Sequence, residues 1–342
     1  MTLEANAARG LVSEMRHTPP FAAVIVLALF VHGAAAQSPR RFTAGSPCTA
    51  AQRAAGCFIV LGSGTPVPDP ERAGPAYALV YGERTFLFDA GAGVMRRVAA
   101  AGLPIDGVTA AFLTHLHSDH TLGLPDLLLT TWTMGRRGPF PLIGPPGTRT
   151  MVDRLLAAWQ EDITARINGL EQGQPAGPGV TVIESRGGVV YDSAGVRIEA
   201  IPVTHGEFAV AFGYRIVLPT RTIVLSGDTG PGDALRAAAR GADLLVHEVV
   251  SLPLIADSLR RFMASQQGKV PPGLFDELMR HMADDHTVPE DIGRLAAAAG
   301  VKKVVLTHFV PGRDADPDSA YVDGVALHYK GPVVAARDLM EF

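Results

Sequence analysis

The chain of 342 residues has only two cysteines, Cys48 and Cys57, which excludes a cysteine-rich metal cluster or a multi-disulfide framework as its organising principle. It has no run of lysine and arginine either: Arg40 with Arg41, Arg136 with Arg137 and Lys302 with Lys303 are isolated pairs that suit solvated surface. With a formal net charge of −4 there is no global attraction to polyanions, so nucleic acid is not expected as a partner. Charged residues are 19% and apolar residues 47% of the chain, a balance that excludes a disordered or fibrous protein. It suits a compact enzyme able to bury one large core or two modest ones. No internal repeat or low-complexity tract interrupts the sequence.

Long apolar runs are equally scarce. Residues 21–31, FAAVIVLALFV, are too short for a comfortable membrane span but match the length of a secretory h-region. Ala34, Ala35 and Ala36 before Gln37 fit a small-residue cleavage site. Residues 1–14 include two glutamates, and initiation at Met15 would give the cleaner positive start MRHTPP. The expectation is a signal peptide over residues 1–36, a periplasmic or secreted enzyme, and no stable membrane association after cleavage. In an oxidising compartment Cys48 and Cys57 either pair, pinning the tail to the first strand, or remain one buried and one exposed thiol; their spacing leaves both open.

Residues 37–56 are small and polar, a linker, and regular patterning begins at Cys57. CFIVLG, YALVYG, TFLFD and AAFLT, separated by Gly, Pro and charged turns, suit antiparallel strands. Within residues 148–168, Met151, Leu155, Leu156, Trp159 and Ile163 recur at helical spacing and predict a face packed on a sheet. After the Gly- and Pro-rich residues 169–179 a second strand set is expected: VTVIES, GVVYDS, VRIEAIPVTH, FAVAFGYRIVLP and TIVLSGD. A helix at 231–240, the strand DLLVHEVV, helical segments between 251 and 300, the strand KKVVLTH and one near PVVAA follow. Two strand-rich halves, each with helices and neither resembling a separate domain, predict two sheets packed face to face with helices outside.

What is present in abundance is histidine in one place. Residues 115–120 read HLHSDH and pack His115, His117, Asp119 and His120 into a hexapeptide after an apolar run, with three of the chain's 11 histidines. Zinc takes imidazole nitrogens and carboxylate oxygens, and four donors so close together cannot all reach one tetrahedral ion unaided, so two ions are expected. His115 and His117 share a side in an extended segment, and a turn at Ser118 swings Asp119 and His120 toward a neighbouring ion. Further ligands must come from other strand ends. His205 in IPVTHG, Asp228 in TIVLSGDTG and His308 in KKVVLTHF each sit where an apolar strand gives way to small or polar residues.

An HxHxDH motif followed by a distant His, a GD after a strand and a late TH resembles the metallo-β-lactamase fold hydrolases from about residue 57 to the C-terminus. GSGTPVPDPERAGPAYALVYGERTFLFDAG, LVHEVV, DDHT and VKKVVLTHFVP look like the branch shared by ribonuclease Z and the zinc-dependent arylsulfatases. The resemblance implies an α/β fold, a four-layer αβ/βα sandwich over residues 57–342, within which residues 251–285 themselves read as a helical insertion immediately before His286. It implies that His115, His117 and His205 hold one Zn2+ and that Asp119, His120 and His308 hold a second. Asp228 would bridge them, with a hydroxide between the ions as nucleophile. Manganese or iron would also suit such donors. Glu248 in HEVV and His286 in DDHT look like the pair that assists the leaving group, His286 giving the proton and Glu248 orienting it, so that Asp119, His286 and Glu248 form the expected catalytic set. His247 is expected only to brace the strand end, and Asp89 to tie down the metal loop. Trp132, Met134 and Phe140 suit either a pocket wall or core packing.

The chain departs from the ribonuclease pattern in lacking a protruding arm of basic and glycine-rich residues, and the His205 to Asp228 spacing leaves room for little more than a hairpin. The expected activity is therefore hydrolysis of small aryl sulfate or phosphate esters. Hydrolysis at carbon, as in lactones, β-lactams or activated haloaromatics, stands second, and tRNA 3′-processing ranks below both. A non-catalytic metal-binding scaffold is disfavoured because all seven ligand positions are filled. The 251–285 insertion suits a lid, a pocket wall or a homodimer contact.

Overall fold

The computed structural model describes residues 48–169, 176–266, 271–313 and 316–342; the expected signal segment and cleavage site lie outside them. The strands collect into two seven-stranded sheets. The first contains β1 (Cys57–Gly62), β2 (Ala76–Tyr81), β3 (Arg84–Phe88), β4 (Val108–Phe112), β5 (Phe140–Gly144) and β6 (Val180–Glu184). The second contains β7 (Gly188–Ser193), β8 (Val196–Val203), β9 (Ala211–Leu218), β10 (Arg221–Leu225), β11 (Leu244–Val250), β12 (Val304–Val310) and β13 (Val333–Ala335). The short β14 (Met340–Glu341) returns to the first sheet beside β1.

Alternation along each strand divides the apolar residues between layers. In β1, Phe58 and Val60 face the second sheet while Cys57, Ile59 and Leu61 join the opposite cluster. Between the sheets, Phe86, Phe88 and Phe112 pack against Ile198, Tyr214, Ile216 and Val246, with the Phe112 ring 5.2 Å from Phe88 and 5.8 Å from Tyr214. Helices Val94–Ala100 and Leu124–Thr133 cover the outer face of the first sheet through Val94, Val98, Leu124, Leu127 and Leu128. Helices Pro289–Ala299 and Ser319–His328 cover the second through Ile292, Leu295, Ala296, Tyr321 and Val325. Helix, sheet, sheet and helix make the four-layer αβ/βα sandwich that the sequence led us to expect.

Three details differ from the sequence reading. β4 runs parallel to β3, because helix Val94–Ala100 intervenes and a crossover of that length returns the chain in the same direction. VTVIES belongs to the first sheet: β6 lies parallel to β5, with Phe140 opposite Val180, and the helical residues between them are the crossover. The passage to the second sheet comes instead at Gly187 and Gly188, whose φ values of 127° and 85° no β-branched residue would adopt. The crossover is two helices, Thr148–Ala158 and Gln160–Asn168, broken at Trp159, which is 46% exposed while Met151, Leu155 and Leu156 pack inward.

Cys48 and Cys57 are disulfide-bonded with Cα atoms 6.2 Å apart, so the pairing alternative holds. Helix Ala50–Ala55 lies inside this loop and starts at a capping box between Thr49 and Gln52. No helix among the described residues is long and apolar enough to cross a membrane. Residues 251–285 form helices Leu252–Ser265 and Leu274–Asp285, in which Ala256 and Asp285 alone are buried among the described residues. Phe86 is fully buried between the sheets. Phe86→Ala leaves a void there and is expected to cost about 3–5 kcal/mol in urea unfolding; a loss below about 1 kcal/mol would show that the sheets repack without it.

Candidate metal centre

The strand ends bring the seven expected residues together. His115 follows β4, His205 follows β8, Asp228 follows β10, and His308 lies in β12. Asp119 and His120 sit on the single helical turn Ser118–Thr121, which swings them back toward the sheet as the turn at Ser118 predicted. His115, Asp119, His120, His205, Asp228 and His308 are all buried, whereas the His117 ring reaches the surface.

Their donor atoms form two groups. His117 Nδ1 lies 2.9 Å from His115 Nε2 and 3.1 Å from His205 Nε2. His308 Nε2 lies 3.3 Å from Asp119 Oδ2, and His120 Nε2 lies 3.6 Å from the same oxygen. Asp228 Oδ2 stands between the groups: 3.2 Å from His308 Nε2, 3.3 Å from His120 Nε2, 3.8 Å from His205 Nε2 and 3.9 Å from His115 Nε2.

Partners behind the donors fix which nitrogen faces inward. His205 Nδ1–H donates to the Asp285 carbonyl at 3.0 Å, and His120 Nδ1–H donates to Asp89 Oδ2 at 2.8 Å. The Thr114 hydroxyl donates to Asp89 and can accept from His115 Nδ1, 2.9 Å away. With Nδ1 engaged outward, each Nε2 faces its neighbours in the centre. Asp89 also accepts from Thr114 N–H at 2.8 Å, so it ties down the loop as expected. At Gly91, behind the hexapeptide, a Cβ would come within 2.6 Å of the Asp119 carbonyl oxygen, so only glycine lets these loops approach so closely.

His308 and Asp89 hold backbone φ values of +45° and +58°, conformations that side chains other than glycine rarely adopt. The cause at His308 is a bulge: Glu248 pairs with Thr307 and Val249 with Phe309, so His308 is skipped in the ladder and aimed at the centre.

Electrostatics favour a cation at both groups. Burial holds His115 well below, and His117 below, the usual imidazole range, which keeps their lone pairs free of protons. Burial opposes charge on His120, yet Asp228 and Asp89 raise it well above that range: its position is built for positive charge, from a proton or from a metal. Burial would raise Asp119 and Asp228, but the neighbouring histidines hold both carboxyls down. No well-aligned hydrogen bond engages the buried His120 Nε2, although Asp228 Oδ2 stands 3.3 Å away. Converging imidazole lone pairs, two buried carboxylates and this nitrogen are the donor set that divalent metals take.

Beside the centre, His286 lies with its ring centroid 5.3 Å from that of His205, and its Nδ1 is 3.2 Å from Glu248 Oε2. The other Glu248 oxygen accepts from Thr287 N–H at 2.8 Å. Burial opposes charge on His286, but Glu248 lifts it to about 9. His247 is buried and its Nδ1–H donates to the Glu248 carbonyl at 2.7 Å, away from the donor groups. Trp132 and Phe140 are buried and Met134 is 57% exposed; Phe140 belongs to the core cluster. Two contributors were not anticipated. Asp285 also accepts from Gly206 N–H at 3.1 Å, so the 251–285 insertion helps build the centre. Phe208 packs its ring against three of the histidines, and nothing in the spacing of THGEFAV marks it.

The chain matches the Beta-lactamase superfamily domain over residues 84–309. It is 34% identical over 286 residues to a Ribonuclease Z of Mycobacterium bovis, covering 82% of this chain and 96% of that protein. It is 39% identical over 263 residues to a Ribonuclease Z of Mycobacterium sp. strain KMS, covering 75% and 86%. Among solved structures, the metallo-beta-lactamase fold protein YhfI from Bacillus subtilis matches with TM-score 0.61 at 16% identity, covering 84% of this chain and 98% of that one. The short form of human tRNase Z matches with TM-score 0.57 at 23% identity and the same coverage.

These relatives overturn two expectations. Aryl sulfate or phosphate esters were ranked first and tRNA processing last, yet the similar full-length proteins are ribonucleases by name. The expected exclusion of nucleic acid falls with it, on the same relatives. A whole-chain charge of −4 sums surfaces that never meet the ligand, so it does not report the local field a phosphodiester would experience. Hydrolytic dependence on divalent metal follows from the family and the donor set. Removing metal with a chelator is accordingly expected to lower the thermal midpoint, and stoichiometric zinc to restore it. A midpoint unmoved by either treatment would count against a metal centre.

Proposed function

The chain belongs to the metallo-β-lactamase superfamily, in its ribonuclease Z branch, and from that premise we propose that it is an endoribonuclease that hydrolyses a phosphodiester bond in RNA, with tRNA precursors as the substrate class. The observation that carries the reading is the pairing of two donor groups around Asp228 with a histidine and a carboxylate beside them. Under this proposal His115, His117 and His205 hold one cation, Asp119, His120 and His308 hold the other, and Asp228 serves both. When bound, two divalent cations, zinc first among them, supply a water deprotonated near neutral pH and offset the charge that gathers on phosphoryl oxygens.

The chain's own residues do the rest. Asp89, Thr114 and the Asp285 carbonyl hold His120, His115 and His205 in the tautomer that points Nε2 inward. Glu248, anchored by Thr287 N–H, engages His286 Nδ1 and leaves Nε2 as the atom that gives its proton to the departing ribose oxygen. Burial of His286 and Glu248 keeps bulk water from competing for that proton.

The test is incubation of metal-reconstituted protein with a tRNA precursor carrying a 3′ trailer, beside an unstructured RNA of equal length. One endonucleolytic cut in the precursor is expected. His286→Ala should lower kcat by about 10²–10⁴-fold with metal content retained. Glu248→Gln, which weakens the orientation of His286 without removing it, should cost less. Loaded protein that leaves both RNAs intact would end the proposal.

A further inference from the structure

In this centre three of the histidines are held from behind by a polar partner: His115 by Thr114, His205 by the Asp285 carbonyl and His120 by Asp89. His308 Nδ1 is buried without a partner, and His117, too, has no such bond among the described residues. Its Nδ1 faces His115 and His205, and its ring is the exposed one of the group. An imidazole on a surface segment with no outer hydrogen bond keeps its rotamer freedom, and ordering it on each binding event opposes affinity.

Phe208 packs against the His117 ring instead. Its ring centroid is 4.6 Å from that of His117 with the planes at 83°, and 5.4 Å from that of His115 at 74°, both edge-to-face arrangements that aromatic rings favour. It is also 6.4 Å from the His205 ring and nearly parallel to it, at 7°. One side chain thus touches all three rings of the group. The Phe208 N–H donates to the His205 carbonyl at 3.2 Å, closing a turn that fixes the phenyl ring relative to a member of the trio.

We infer that Phe208 is the positioning residue of the His115, His117, His205 trio, and that its ring restrains His117 as outer hydrogen bonds restrain His115 and His205. The inference rests on the proposed reading of this trio as a cation site. It assigns a role to packing where the neighbouring donors use polar contacts. It also makes the two cation sites separately adjustable, since among the described residues the Phe208 ring packs on the rings of His115, His117 and His205 and not on those of His120 or His308.

The test is zinc competition against a chromophoric chelator, on wild type, Phe208→Ala and Phe208→Tyr, with the unfolding midpoint of each metal-free protein measured in parallel. Phe208→Ala is expected to weaken one of two zinc equivalents by about 10–100-fold, the range seen when outer partners of metal ligands are removed. The other equivalent and the metal-free midpoint should not move, and Phe208→Tyr, which keeps the ring, should bind as wild type does. Unchanged affinity in Phe208→Ala would overturn the inference. So would equal weakening of both equivalents alongside a lowered metal-free midpoint, because that pattern belongs to a general packing role. Wild-type protein that takes up no zinc would overturn the underlying reading of the trio instead.

Discussion

One carboxylate oxygen, Asp228 Oδ2, lies within 3.9 Å of imidazole nitrogens from His115, His120, His205 and His308, and the architecture around it exists to make that crowding tolerable. A buried charge costs several kcal/mol unless it is paired and hydrogen-bonded. Asp228 itself follows β10, and its partners arrive from the end of β4 and the turn after it, from the end of β8 and from β12, so both sheets must be in register before the charge is compensated. The aromatic layer of Phe88, Phe112 and Tyr214 sets the spacing of the sheets, and Tyr214 bonds the Leu113 carbonyl at 2.6 Å, close to where β4 gives way to the histidines. Core packing and the site are thus one construction.

The centre also holds local strain. The bulge and positive φ at His308 and the positive φ at Asp89 are conformations of order 1–3 kcal/mol above the ordinary, kept because the surrounding sheet determines them. Each aims a side chain that a regular strand end would direct elsewhere. Outer contacts complete the aiming, and they differ in kind: a hydroxyl behind His115, a carbonyl behind His205, a carboxylate behind His120, and a phenyl ring beside His117.

The same centre explains why bulk composition is a poor guide to substrate class. Chemistry at phosphorus is set by a few buried groups, while net charge and the search for basic runs sample the whole surface. Absence of a basic arm argued against RNA as a general rule about gripping a long substrate, and it had no bearing on what the buried groups can hydrolyse. Identity of 34–39% across most of two ribonucleases Z carries more weight than either.

Much was legible in the sequence because it is local. HLHSDH, the strand-end positions of His205, Asp228 and His308, and the alternation of β1 are written within windows of a few residues, where period and residue type decide the outcome. Sheet membership was less so: nothing in VTVIES says which sheet it joins, since a parallel partner is chosen by the crossover that precedes it. Pairing of Cys48 with Cys57 depended on Cα separation, which spacing alone leaves free. Residue types along the chain were enough to name the donors and the strand ends that present them. Which nitrogen of each histidine faces inward, the places of Asp285 and Phe208 beside them, and the position of Asp228 between the two groups came from folding alone, because they depend on distances across the sandwich that no spacing along the chain encodes.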